Sequence, residues 1–312
     1  MKKVLSILIT LAMVLTLGSI TVFAATVTAA TAAELTTAIT SATAGDTIQL
    51  TADITGADTQ ITIDKVLIID MNGFNISGKP SSYTMFRVSG GELTLINSSA
   101  TESKLIVAAG DADEAYYEGI RIATTGKATI GANVTIEAGC PVFLYGNGTD
   151  SSVQLDVYGT LVVSAPIDSE NAYSAIQGNG SAGKGGTIIN IYSGAEVTNE
   201  YSSAMYIPQA GVVNVYGGTI TGKESAIAIK SGTLNISGGT LRATGPATIP
   251  TTGYSNGVNG SGCAIQIESN DAYSGNIIVN ISGGMIISDN GYSLYEYLDS
   301  GNTDTEVISI TI

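Results

Sequence analysis

Three tyrosines, Tyr158, Tyr192 and Tyr216, each stand two residues after a polar residue, Asp156, Asn190 and Asn214, at the end of a short alternating segment. If those segments lie side by side as strands, the rings form a flat apolar strip edged with hydroxyls. Such a strip suits stacking against sugar rings, with Asp156, Asn190 and Asn214 placed to hydrogen-bond sugar hydroxyls. The same residues have a purely structural use: ring against ring across strands, and amide to amide along the ladder. A second candidate is the acidic stretch of Asp111, Asp113 and Glu114. Oxygen ligands so close together suit Ca2+, but the spacing follows no Ca2+-loop template and reads first as a solvated turn, so no cofactor is assigned and Ca2+ is the alternative. Comparable turns carry Asp168 and Glu170, then Glu200, then Glu224, so stacked turns would make an acidic rim.

What the chain lacks narrows the chemistry further. It has no His, which removes the usual general base and the commonest metal ligand, and no Trp. The polar row reads Thr94, Thr129, Asp156, Asn190, Asn214, Asn235 and Asn280, a single carboxylate among amides and hydroxyls. Hydrolysis by paired carboxylates needs two acids a few ångströms apart. Arg87 and Arg121 occupy corresponding places one unit apart and read as surface residues. No catalytic residue is assigned.

The elements that position these residues come from an internal repeat. Segments around Leu93, Ala128, Leu155, Ile189, Val213, Leu234 and Val279 alternate apolar and polar. Each is preceded by a second short strand, such as Met85 to Val88 or Cys263 to Ile267, and followed, past a tight Gly turn, by a third, such as Thr219 to Thr221. Asn190 and Asn214 are 24 residues apart and Asn214 and Asn235 are 21 apart, the length of three short strands and three turns. Alternation places Leu234 and Ile236 inside and Asn235 outside, so apolar side chains stack from unit to unit into one core. The expected fold is all-β, a right-handed parallel β-helix solenoid with three strands per coil and about eight coils. Asn235 and Asn280 are 45 apart because residues 243–262, rich in Gly, Thr and Asn, leave the solenoid as an insertion.

Both ends need cover, because an open solenoid exposes strand edges. Thr31 and Glu34 make a capping box, and Leu35, Ala38, Ile39 and Ala42 share a helical face, so residues 25–60 read as a short N-terminal cap helix with the first strands. Residues 61–312 form the β-helix, with Glu306 to Ile310 as a last strand. Ahead of the cap, Lys2 and Lys3, an apolar run from Val4 to Phe23, and small residues at Ala24 and Ala25 read as a secretory signal over residues 1–24. The expected location is extracellular or cell-surface, with no membrane span once the signal is cleaved. Cleavage leaves 10 basic and 27 acidic residues, from 12 and 27, a net charge of −17. That excess of acid counts against nucleic acid as a partner. Cys140 and Cys263 precede the same strand type four coils apart, roughly 19 Å at about 4.8 Å per coil, too far to bridge, so both read as buried free thiols.

The stretch Ala33 to Ile54, the segment Ile69 to Phe74 and the repeated Asn-(Ile/Val)-(Ser/Tyr)-Gly-Gly resemble the pectate-lyase-like β-helix superfamily, especially its secreted bacterial members. The resemblance implies the solenoid fold over nearly all of the mature chain. It implies little chemistry, because the superfamily holds lyases, hydrolases, adhesins and binding modules. Lyases of that family hold Ca2+ with clustered Asp and use an Arg or Lys base, and related hydrolases carry Asn-Thr-Asp, Asp-Asp and Gly-His-Gly motifs, of which Asp-Asp and Gly-His-Gly are absent here. The leading expectation is therefore non-enzymatic polysaccharide binding. The alternatives are a polysaccharide lyase or glycoside hydrolase built around Asp156, Arg121 and the acidic loops, and a structural adhesin or spacer.

Overall fold

The computed structural model of the protein describes residues 24–108, 117–146, 152–164, 173–179, 185–248, 260–269, 273, 275–298 and 308–312. They form a right-handed parallel β-helix of three sheets, with eleven strands in the first, eight in the second and nine in the third. Successive strands of the chain step from the first sheet to the second to the third and back, and each pairs in parallel with the equivalent strand one coil on. Eight coils therefore contribute a strand to all three sheets.

The register follows from alternation. Val153–Val157, Thr187–Ile191, Gly211–Val215, Gly232–Ile236 and Ile277–Ile281 lie in order in the first sheet, aligning Asp156, Asn190, Asn214, Asn235 and Asn280. Their neighbours Leu155, Ile189, Val213, Leu234 and Val279 point inward and are at most 1 % exposed. One slip of register would turn this apolar row to solvent, so burial itself fixes the alignment. The corner between the first and second sheets is turned by Gly218, Gly239 and Gly284 at φ 78°, 85° and 92°. A Cβ on Gly239 would also stand 2.8 Å from the carbonyl oxygen of Gly218, so the stacked corner has room only for hydrogen.

The cap helix spans Ala32–Ser41, with Leu35, Ala38 and Ile39 buried over the first coil. Thr31 Oγ1 accepts the Glu34 amide, while the Glu34 carboxylate accepts the amide of Ala30. A strand precedes the helix where none was expected. Thr26–Ala29 pairs with Thr47–Leu50 and extends the first sheet over the capped end. Ala243, the first residue of the expected insertion, instead closes the strand Thr240–Ala243 and is buried. Thr248 and Ser261 then exchange two backbone bonds of 3.0 Å at the base of the excursion, and residues 249–259 lie outside the described residues. Cys140 and Cys263 are both free and buried in the third sheet, four strands apart. Among the described residues no helix is long and apolar enough to cross a membrane.

Candidate functional site

The outer face of the first sheet carries the polar row as one continuous hydrogen-bonded chain. Asn280 donates to Asn235, Asn235 to Asn214 and Asn214 to Asn190, each from Nδ2 to Oδ1 at 2.9 Å. Asn190 then donates to Asp156 Oδ1 at 2.7 Å. All four amides point the same way, so the run ends on an acceptor, here a group that only accepts. Asp156 is that group. Its other oxygen accepts from Gln154 Nε2 at 2.7 Å, and the Tyr192 hydroxyl lies 3.4 Å from Oδ1. A carboxylate holding these donors is an electrostatic terminus for the ladder, and polarisation along the amides strengthens it.

The three tyrosines lie beside this ladder in the order the sequence predicts, and their orientation is the informative feature. Tyr158 and Tyr192 stack with ring centroids 4.2 Å apart at an interplanar angle of 2°, and Tyr192 and Tyr216 at 5.3 Å and 28°. The rings thus face one another along the solenoid axis instead of lying flat on the sheet. Solvent meets their edges and hydroxyls, while the faces of Tyr192 are taken by its neighbours. Two ring faces remain at the ends of the stack. The strand ladder places Gly131 in the coil before Tyr158 and Ser237 in the coil after Tyr216, through bonds from Tyr158 N to Ile130 O and from Ser237 N to Val215 O. Neither has a large side chain, and Tyr158 and Tyr216 are 39 % and 51 % exposed. Burial, the Tyr158 contact and the Asp156 charge raise the Tyr192 hydroxyl to about 12.

The residues joined in the lyase or hydrolase expectation are not brought together. Asp156 faces outward from the first sheet, and Arg121 belongs to the third. Arg87 and Arg121 are in register, as expected from sequence, but Arg121 is clamped. It donates to both oxygens of Glu118, from Nε at 2.7 Å and Nη2 at 2.5 Å, and its guanidinium lies 4.9 Å from the Phe143 ring centre. The same carboxylate accepts from Thr84 Oγ1 at 2.7 Å. Glu118, four residues beyond Glu114, is a buried residue of the strand Glu118–Ala123.

Asp111, Asp113 and Glu114, the residues singled out for Ca2+, lie outside the described residues, as do Asp168 and Glu170. No group of three or more His, Cys, Asp or Glu suited to a metal ion occurs among the described residues. Elsewhere on the expected rim, the Glu224 carboxyl is raised by burial, which outweighs its 2.8 Å bond from Ser202 Oγ.

One polar cluster went unread in the sequence. On the third sheet Lys230 and Glu268 form an ion pair that is 1 % exposed on each side. The Lys230 ammonium lies 5.5 Å and 5.9 Å from the ring centres of Tyr206 and Tyr273, whose hydroxyls are 2.9 Å apart. Burial lowers the proton affinity of Lys230 and Glu268 opposes the change. Beside it the buried Gln266 accepts the amide of Gly260, so the cluster ties the return of the insertion to the sheet. The signal was present: Lys230 and Glu268 each follow the last inward Ile of consecutive third-sheet strands, Ile229 and Ile267. Comparison with protein-family models, with curated proteins and with solved structures gives no match for this chain.

Proposed function

We propose that this chain is an exported β-helix that binds polysaccharide without cleaving it, through the outer face of the first sheet. The observation that carries the reading is the tyrosine stack with its two open end faces, standing beside a row of polar groups at a fixed pitch. A sugar ring stacks on a face, not an edge, so Tyr158 and Tyr216 are the docking platforms and Tyr192 is the spacer between them. The Tyr hydroxyls and the amide oxygens of the ladder supply hydrogen-bond partners for sugar hydroxyls. The acidic balance of the chain favours neutral glycans, or acidic ones only where Ca2+ bridges them.

Membership of the pectate-lyase-like superfamily belongs with this proposal. It is supported by the solenoid fold, the cap helix and the Gly-Gly corners. The tripeptide Asn302-Thr303-Asp304 reads like a hydrolase motif of that superfamily, but it lies outside the described residues. Cleavage is disfavoured because Asp156 and Arg121 lie on different sheets, Asp156 bonded to Asn190 and Gln154 and Arg121 to Glu118. Pull-down on a panel of insoluble neutral and acidic polysaccharides, with and without Ca2+, tests the reading. The wild-type chain is retained on at least one of them, and replacing all three tyrosines by Ala abolishes retention. Retention that survives the triple substitution rejects the site, and release of unsaturated or reducing ends rejects the non-enzymatic reading.

A further inference from the structure

Asp46 is a buried carboxylate, 4 % exposed, at the turn between the cap helix and the strand Thr47–Leu50. Its Oδ2 accepts from the amide and the hydroxyl of Thr43 at 2.8 and 2.9 Å. Its Oδ1 accepts from the backbone nitrogen of Ala25 at 2.7 Å. Among the described residues no Lys or Arg side chain pairs with it. These neutral donors already favour the charged form of Asp46, and a positive charge at one of them would favour it further. The Ala25 nitrogen is held in place, because the Ala25 carbonyl accepts the Thr47 amide at 2.8 Å as the first strand begins.

The sequence supplies a second, independent observation at the same atom. Val22, Phe23 and Ala24 present small or compact residues one and three places before the Ala24–Ala25 bond, after an apolar run, which is the pattern cut by a signal peptidase. Cleavage there would turn the Ala25 nitrogen from an amide into an α-ammonium.

We propose that the Ala24–Ala25 bond is the processing site of this chain, and that Asp46 receives the α-ammonium freed on Ala25 as a buried ion pair locking the first strand over the capped end. The inference rests on reading residues 1–24 as an export signal and is independent of polysaccharide binding. The step is a hydrolysis by a signal peptidase. One water is consumed, the C–N bond between Ala24 and Ala25 breaks, the leader departs with a carboxylate on Ala24, and Ala25 keeps the nitrogen, which takes up a proton.

The pairing has a defined pH signature. A free α-amino group titrates near about 8, and the Asp46 carboxylate raises that value in the folded chain. The ion pair therefore stabilises fully below about 8 and fades as pH rises through the raised value. Bonds from Ala25 and Thr43 already hold Asp46 below the ordinary carboxylate range, so the acid limit lies lower still.

The test uses the exported protein. Intact mass and N-terminal sequencing are expected to give Ala25 as the first residue, and any other N-terminus overturns the processing site. Thermal unfolding is then followed from pH 5 to pH 10 for this chain and for one carrying two extra residues before Ala25, which restores an amide at that nitrogen. The extended chain is expected to melt about 2–4 °C lower at pH 6, the difference closing above pH 9. In an Asp46→Asn background the two chains should melt together at every pH. An Ala25 terminus with equal melting of mature and extended chains at pH 6 overturns the role of Asp46.

Discussion

At the residue scale the ladder shows how one carboxylate gives direction to a row of amides. Replacing Asn214 by Ala would leave the Asn235 donor and the Asn190 acceptor unpaired on a half-covered face. The expected loss is about 1–2 kcal/mol in urea unfolding. A loss no larger than that of an unrelated exposed Asn would mean the amides are solvated one by one. Tyr192 gives a spectroscopic check. Its hydroxyl ionises only near 12, so a tyrosinate absorbance titration of wild type minus Tyr192→Phe should show a component there and none near 10. Because the folded value lies above the unfolded one of about 10, this group's contribution to stability is intact below pH 10 and lost between there and 12. The amide row was legible in the sequence because one residue type recurs at one register position. The ring orientation was not, because side-chain torsions decide whether a row of aromatics lies flat or stacks. Lys230 and Glu268 are hard to read from sequence for a related reason: they sit just past the alternating segments, where the pattern that reveals a strand stops.

At the scale of elements, the coils are set by two devices, inward apolar residues at period two and tight left-handed corners, held by Gly at 218, 239 and 284 and by Asn at 133. Gly239→Ala combines a left-handed backbone with a Cβ 2.8 Å from Gly218 O, so it is expected to cost more than the about 1–2 kcal/mol of left-handed strain alone. Denaturant unfolding measures this, and a change under 0.5 kcal/mol would mean the corner can relax. The three strand families and the cap helix were readable because each recurs or carries a capping pair. The strand Thr26–Ala29 was missed for the opposite reason. It is four residues long, largely exposed, and abuts the apolar run from Val4 to Phe23, so its alternation of Thr and Val is too short to stand out. Ala243 was assigned to the insertion because the composition changes at Thr244, while its buried partner in the coil before, Gly222, has no side chain to mark the position.

For the whole molecule, a solenoid converts sequence spacing into distance, so coil counts become measurable. Cys140 and Cys263 stand four strands apart with both thiols buried, and burial raises each thiol above its ordinary value. Thiol reagent should therefore find none in the native protein and two after unfolding, with equal mobility under reducing and non-reducing conditions. A disulfide would contradict the register of the entire third sheet. The same one-dimensional order sets what the outer face can bind: Tyr158 and Tyr216 flank Tyr192, and their open faces look in opposite directions along the axis. The most direct test is the affinity for a retained polysaccharide of two variants, Tyr158→Ala with Tyr216→Ala, and Tyr192→Phe. Stacking on two faces at about 1 kcal/mol each predicts a loss of about thirtyfold for the first and little change for the second. Equal affinity for wild type and the double Ala variant would contradict the account.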